Sequence, residues 1–118
     1  MAIEELIQLI RTEADKVDFD TVINTIAEYY HYTPGRFTNG SENNHIVNQA
    51  GKNEGSCKIF YFAKLNQLSK EETLACFGKY YRDDVLKHPD KEDHGNIRSF
   101  MVHGWDGIHF DQLILMIK

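Results

Sequence analysis

Cysteine, proline and basic residues are all scarce in this chain, and no apolar run approaches the length of a membrane span. Only two cysteines occur in 118 residues, Cys57 and Cys76, and they lack Cys-x-x-Cys spacing. That is too few for a disulfide scaffold and, without help from histidine, too few for a zinc cage. A reducing compartment is the expected setting. Glycine (8) and proline (2) are too rare, and the hydrophobic share of 42% too high, for a disordered chain. Thirteen Lys and Arg face 18 Asp and Glu, a formal charge of −5, so a phosphate backbone repels the chain and nucleic acid is not an expected partner. Residues Met1-Ala2-Ile3-Glu4-Glu5-Leu6-Ile7 carry acids where a secretory signal carries positive charge. No stretch is long and apolar enough to span a bilayer, so neither general export nor a membrane location is expected.

What remains reads as one domain over residues 1–118. Ile3, Leu6, Ile7 and Ile10 recur at helical spacing, and Phe19, Val22, Ile23, Ile26 and Tyr30 repeat the pattern after Asp18. From Tyr32 to about residue 52 the periodicity vanishes under Pro34, Gly35, Asn39, Gly40, Asn43, Asn44 and Gly51, which predicts a long irregular loop. Residues 56–68 are apolar all round (Ile59, Phe60, Tyr61, Phe62, Ala63) and run past strand length, which predicts a central, covered helix. Ser69-Lys70-Glu71-Glu72 is a capping box for a helix striped by Leu74, Phe77, Gly78, Tyr81 and Val85, ending near His88 before Pro89. Gly78 weakens that helix by roughly 1 kcal/mol relative to Ala and suits close approach of a neighbouring helix. Asp93 is placed to cap a last helix that ends at Gly104. The expected fold is therefore mainly α, a single compact domain of about five helices with an irregular loop over roughly 32–52. One short two-stranded pairing, 36–38 with 108–110, completes it, and the apolar tail 113–118 either docks or dimerises.

Polar residues in unusual places mark the candidate site. Asn53-Glu54-Gly55-Ser56-Cys57-Lys58 sets a thiol, a carboxylate and an amine at the start of the apolar helix. A helix N-terminus and the adjacent Lys58 both favour a thiolate, and His94, beside Asp93, Asn96 and Arg98, is the candidate base for a Cys57 nucleophile. A buried, inert thiol is the commoner fate of free cysteine. Arg82 and Asp84 fall at the edges of a buried stripe, where a charge needs a partner. With Asn53, Glu54, Ser56, Lys58, His94, Asn96 and Arg98 they make either a structural network locking helices together or a pocket for a small anionic ligand. Six histidines include no i, i+4 pair, so no metal site and no cofactor are expected.

Several blocks of the chain resemble one family in the same order. They are Tyr32-Thr33-Pro34 with Phe37, Asn39 and Gly40; Asn48 with Ala50-Gly51; Asn53 to Lys58 with Phe60; Cys76-Phe77-Gly78 with Tyr80-Tyr81-Arg82; Asp93-His94 with Asn96-Ile97-Arg98; and Gly104-Trp105 with Gly107-Ile108 and Phe110. This is similar to the HopJ type III effector family over nearly the whole length. The resemblance implies a virulence protein of the bacterial cytoplasm that passes into a host cell through a type III system. It implies no enzymatic activity and brings no catalytic residues. The leading expectation is thus a small helical binding protein, monomer or weak homodimer, whose polar cluster meets a host or bacterial protein or a small anion. The alternative is a cytoplasmic enzyme built on Cys57 and His94.

Overall fold

Leu6 and Ile10 anchor the first helix, α1 (Ile3–Thr12), and Val22, Thr25 and Ile26 the second, α2 (Phe19–Tyr29), in the computed structural model, which describes all 118 residues. The apolar stretch after Asn53 is indeed a helix, α3 (Glu54–Leu65), with Cys57, Ile59, Phe60, Phe62 and Ala63 all buried. Phe60 is its pivot. Its ring lies 6.0 Å from Phe37, 5.4 Å from Phe77 and 4.9 Å from Phe100, and burial of one such side chain is worth about 1.5–3 kcal/mol. One continuous core runs from Leu6 to Leu115 around it.

The capping box forms as read: Glu72 N–H donates to Ser69 Oγ at 3.1 Å and Ser69 N–H to Glu72 Oε1 at 2.8 Å, opening α4 (Lys70–Ala75). That helix does not continue to His88. Gly78 turns left-handed at φ +59, and a Cβ there would lie 2.8 Å from Phe19 N and 3.2 Å from Val17 O. The close approach foreseen for Gly78 is real, but it is made to the backbone leading into α2 and requires a break in the helix. The chain resumes as a π-helical segment, Tyr80–Val85, in which Leu86 N–H reaches back five residues to Tyr81 O at 2.9 Å. The last helix, α5 (Gly95–His103), stops at Gly104 (φ 61).

A mainly helical architecture is overturned by the strands. Besides the five α-helices and the π-helical segment, five strands form two antiparallel sheets, an α+β fold: β1 (Tyr30–Tyr32), β2 (Phe37–Ser41), β3 (Asn44–Asn48), β4 (Ile108–Phe110) and β5 (Leu115–Ile117). The stretch 32–52 is not an irregular loop. It holds a hairpin, β2 with β3, joined through Glu42 and Asn43, with Phe37 opposite Asn48 and Ser41 opposite Asn44. The expected pairing with 108–110 exists as β2 with β4, Phe37 opposite Phe110, making the order β3-β2-β4. The tail docks: β5 pairs with β1, Tyr30 opposite Ile117, and Ile114 and Leu115 are buried. The strands escape a periodicity reading because their inward positions are polar. Asn39 and Asn48 face Asn96 of α5, Phe37 packs on Phe60 of α3, and all three are at most 1% exposed, so burial in these strands is not mirrored by hydrophobicity.

Candidate functional site

The inward asparagines are held by one another. Asn96, the second residue of α5, receives Asn39 Nδ2 at 3.1 Å and Asn48 Nδ2 at 3.1 Å on its Oδ1, and donates its own Nδ2 to Asn48 Oδ1 at 2.9 Å. Asn39 Nδ2 also donates to the Asn96 carbonyl at 2.9 Å. Asn53 Nδ2 then donates to Asn48 Oδ1 at 2.7 Å. This chain of amides ties the hairpin to the first turns of both α3 and α5. It satisfies the buried amide nitrogens of Asn39, Asn48 and Asn96 and the oxygens of Asn48 and Asn96, leaving Asn39 Oδ1 as the one buried amide oxygen without a partner.

Both helices begin on a strained residue whose side chain is engaged elsewhere. Asn53 (φ 50, ψ 47) and His94 (φ 53, ψ 50) are left-handed, and neither side chain caps its own helix. Such a conformation costs most side-chain-bearing residues about 1–2 kcal/mol, and asparagine less, and residues of this kind gather at functional sites. Asn53 is occupied by Asn48, and His94 Nε2 lies 2.9 Å from Asp84 Oδ2, an acid presented by the π-helical segment. The first i to i−4 bonds are Cys57 N–H to Asn53 O and Arg98 N–H to His94 O. The first-turn amides of both helices therefore have no carbonyl within their own helix to meet.

Those two first turns border one cleft. Gly55 and Ser56 from α3 and Gly95, Asn96 and Ile97 from α5 line it, with Phe19, Phe77 and Tyr80 as the apolar wall and Asn53 and His94 at the rim. Its volume of about 350 Å³ falls within the range of small-ligand sites. Tyr80 is braced edge-on by Phe19 at 5.0 Å and lies 5.2 Å from the His94 ring. None of the chain's carboxylates lines the cleft.

The residues named from sequence thus divide into three places. Asn53, Ser56, His94 and Asn96 share the cleft, and Asp84 joins it through His94. Glu54, Cys57 and Lys58 belong to the other flank of α3: Lys58 Nζ lies 4.5 Å over the Tyr32 ring, and Cys57 Sγ points at Gly35 O, 3.9 Å away. Burial, then the Glu54 carboxylate, push the Cys57 thiol up to about 11, and the same two causes raise the Tyr32 phenol. The helix-start argument for a Cys57 thiolate fails because the sulfur faces the core, 1% exposed, rather than the helix mouth. Cys57 does not line the cleft that His94 borders.

The two arginines are clamps on backbone. Arg82 NH1 donates to Val17 O at 2.9 Å and Ala14 O at 3.3 Å, fixing the approach to α2. Arg98 holds Asp93 Oδ1 at 2.7 Å, Asp93 O at 2.6 Å and His88 O at 3.1 Å, and the guanidinium keeps the Asp93 carboxyl below its ordinary range. Sequence reasoning missed Asn39 and Asn48 as members of the network, and Phe19 and Tyr80 as its neighbours at the cleft. The usable signal for the asparagines was their spacing about Phe37, hidden under turn-forming composition.

The chain belongs to the HopJ type III effector protein family, whose pattern matches residues 3–115. It is similar to VPA0580, a protein of unknown function known from its crystal structure, with 47% sequence identity and a TM-score of 0.94 over 100% of this chain and 95% of that one. A search of curated proteins finds no match. No helix is long and apolar enough to cross a membrane.

Proposed function

We propose that the chain is a small binding protein that holds the anionic group of a ligand in the cleft where α3 and α5 begin. The observation that supports this most is the convergence of two helix N-termini, both without side-chain caps, on one cleft with no carboxylate in its lining. Each contributes first-turn N–H groups and the positive end of a helix dipole, the pairing that favours phosphate or carboxylate. Gly95 leaves room beside the start of α5, its nearest neighbour being Ile46 Cδ1 at 3.5 Å, while Gly55 admits the Phe19 ring against the start of α3. The apolar wall of Phe19, Phe77 and Tyr80 suits a ligand with a hydrophobic or aromatic body. His94, oriented by Asp84, adds a hydrogen-bonding ring at the rim. Delivery into a host cell is what the family description brings to this chain, and a translocation reporter fused to it tests that part separately.

Inorganic phosphate is the probe for the cleft, followed by its ³¹P linewidth as protein is added. Gly95 accepts a side chain, since its nearest neighbour in that direction is Ile46 Cδ1 at 3.5 Å. Gly95→Asp puts a carboxylate at the start of α5, where it stabilises the helix by about 0.3–1 kcal/mol and opposes the approach of a second anion to the same helix end. Wild type and Gly95→Ala should broaden the phosphate signal, while Gly95→Asp should not, with a melting point no lower than wild type. Equal broadening by all three proteins would remove the cleft from consideration.

A further inference from the structure

Away from that cleft, three histidines that are far apart in sequence meet on the open face of the three-stranded sheet. Thr38 of β2 lies on the side opposite the buried Phe37 and Asn39, and the register sets His109 opposite Thr38 and His45 opposite Gly40, two residues along the same strand. These side chains therefore share the outer face. His103, the last residue of α5, stands over the same face: a Cβ built on Gly107 would lie 2.9 Å from His103 Cβ and 2.9 Å from Gly40 O. A trough of about 500 Å³ lies among these residues, with no hydrophobic residue in its lining, bordered by Glu42 and Asp106.

One ring is already held in the tautomer a metal requires. His45 Nδ1 lies 3.1 Å from Ser41 O and 3.2 Å from Glu42 O. Both are acceptors, so Nδ1 carries the proton and Nε2 keeps its lone pair. Histidines that ligate metals are typically anchored in this way, through the ring nitrogen that does not bind the ion. Strand spacing of about 4.8 Å separates the His45 and Gly107 positions by about 10 Å, a gap that two imidazoles and a metal span. The rings are splayed in the structure as it stands, since the trio whose ligand atoms lie within 4.8 Å of one another is instead Asp84, Asp93 and His94. That trio is a poor cation site, because Arg98 already sits 2.7 Å from Asp93. His45 stays on its two carbonyls, and rotation of the exposed His109 and the half-buried His103 toward its Nε2 closes the trio.

We infer that His45, His103 and His109 bind a divalent transition-metal ion of the zinc class, with a carboxylate from Asp106 or Glu42 completing a tetrahedral set. Three imidazoles and one oxygen suit this class better than they suit magnesium or calcium. The test is calorimetric titration of the protein, free of any histidine tag, with zinc chloride near pH 7.5. One ion should bind per chain, and affinity should fall as the pH is lowered, because protons compete with the ion for the imidazole lone pairs. His45→Ala and His109→Ala should each weaken binding about tenfold or more without shifting the melting point, while His94→Gln should bind as wild type. No stoichiometric binding, undiminished binding in both sheet variants, or loss of binding in His94→Gln would each overturn the assignment.

Discussion

Truncation of Asn96 is the sharpest probe of how the cleft is built. Asn96→Ala deletes three side-chain hydrogen bonds at once, two from Asn39 and Asn48 and one to Asn48. The partners do not suffer equally. Asn39 Nδ2 keeps the Asn96 carbonyl at 2.9 Å and Asn48 Oδ1 keeps Asn53 at 2.7 Å, but Asn48 Nδ2 retains only Phe37 O at 3.5 Å. At about 1 kcal/mol for each bond, with one buried donor left nearly unpaired, the loss comes to about 3 kcal/mol. For a domain of this size that corresponds to a melting point lower by about 10 °C. Urea unfolding followed by circular dichroism measures it directly, and the midpoint should fall with the slope unchanged, because the folded state stays compact. A loss below about 1 kcal/mol would refute the claim that these amides hold the hairpin and the two helix starts together.

Two further outcomes follow from the titrating groups. Cys57, with its thiol pushed up to about 11, should resist iodoacetamide at pH 7.5 in the native protein and react readily in guanidinium, as should Cys76, pushed up to about 12 by burial; rapid native labelling of Cys57 would revive a nucleophilic role. The Glu72 carboxyl is lowered first by the hydrogen bond from Ser69 N–H and then by Arg11, so its contribution to stability is present above the unfolded carboxylate value and is lost as pH falls through the lower folded value. Glu72→Gln should be less stable than wild type at pH 7 and converge with it towards pH values of about 3, and parallel stability curves at all pH values would contradict that.

How much of this was legible beforehand depended on whether burial and hydrophobicity coincide. In α1, α2 and α3 they do, and the apolar stripes of Leu6, Ile10, Val22, Ile26 and Phe60 give the helices directly. The Ser69 cap was equally readable, because its chemistry is local. In β2 and β3 burial falls on Asn39 and Asn48, which composition assigns to turns, and only the partner residue Asn96 on a distant helix makes their burial tolerable. The break at Gly78 was hidden for a related reason: its cause is the backbone of Val17 and Phe19, not its sequence neighbours. At the site, Asn53, Ser56, His94 and Asn96 were found as unusual polar residues, yet the direction in which each points depends on the left-handed turns at Asn53 and His94. Cys57 and Arg82 were credited with chemistry because exposure at a helix edge and burial beneath it look the same in a linear pattern. The three sheet histidines lack helical spacing, and only strand register brings them to one face.

The central claim is that the starts of α3 and α5 act together on one anion. Backbone amide shifts recorded during titration with inorganic phosphate address it most directly. Saturating, co-varying shifts are expected at Gly55, Ser56, Gly95, Asn96 and Ile97, described by a single dissociation constant. Shifts confined to one of the two helices, or scattered over surface lysines without saturation, would contradict it.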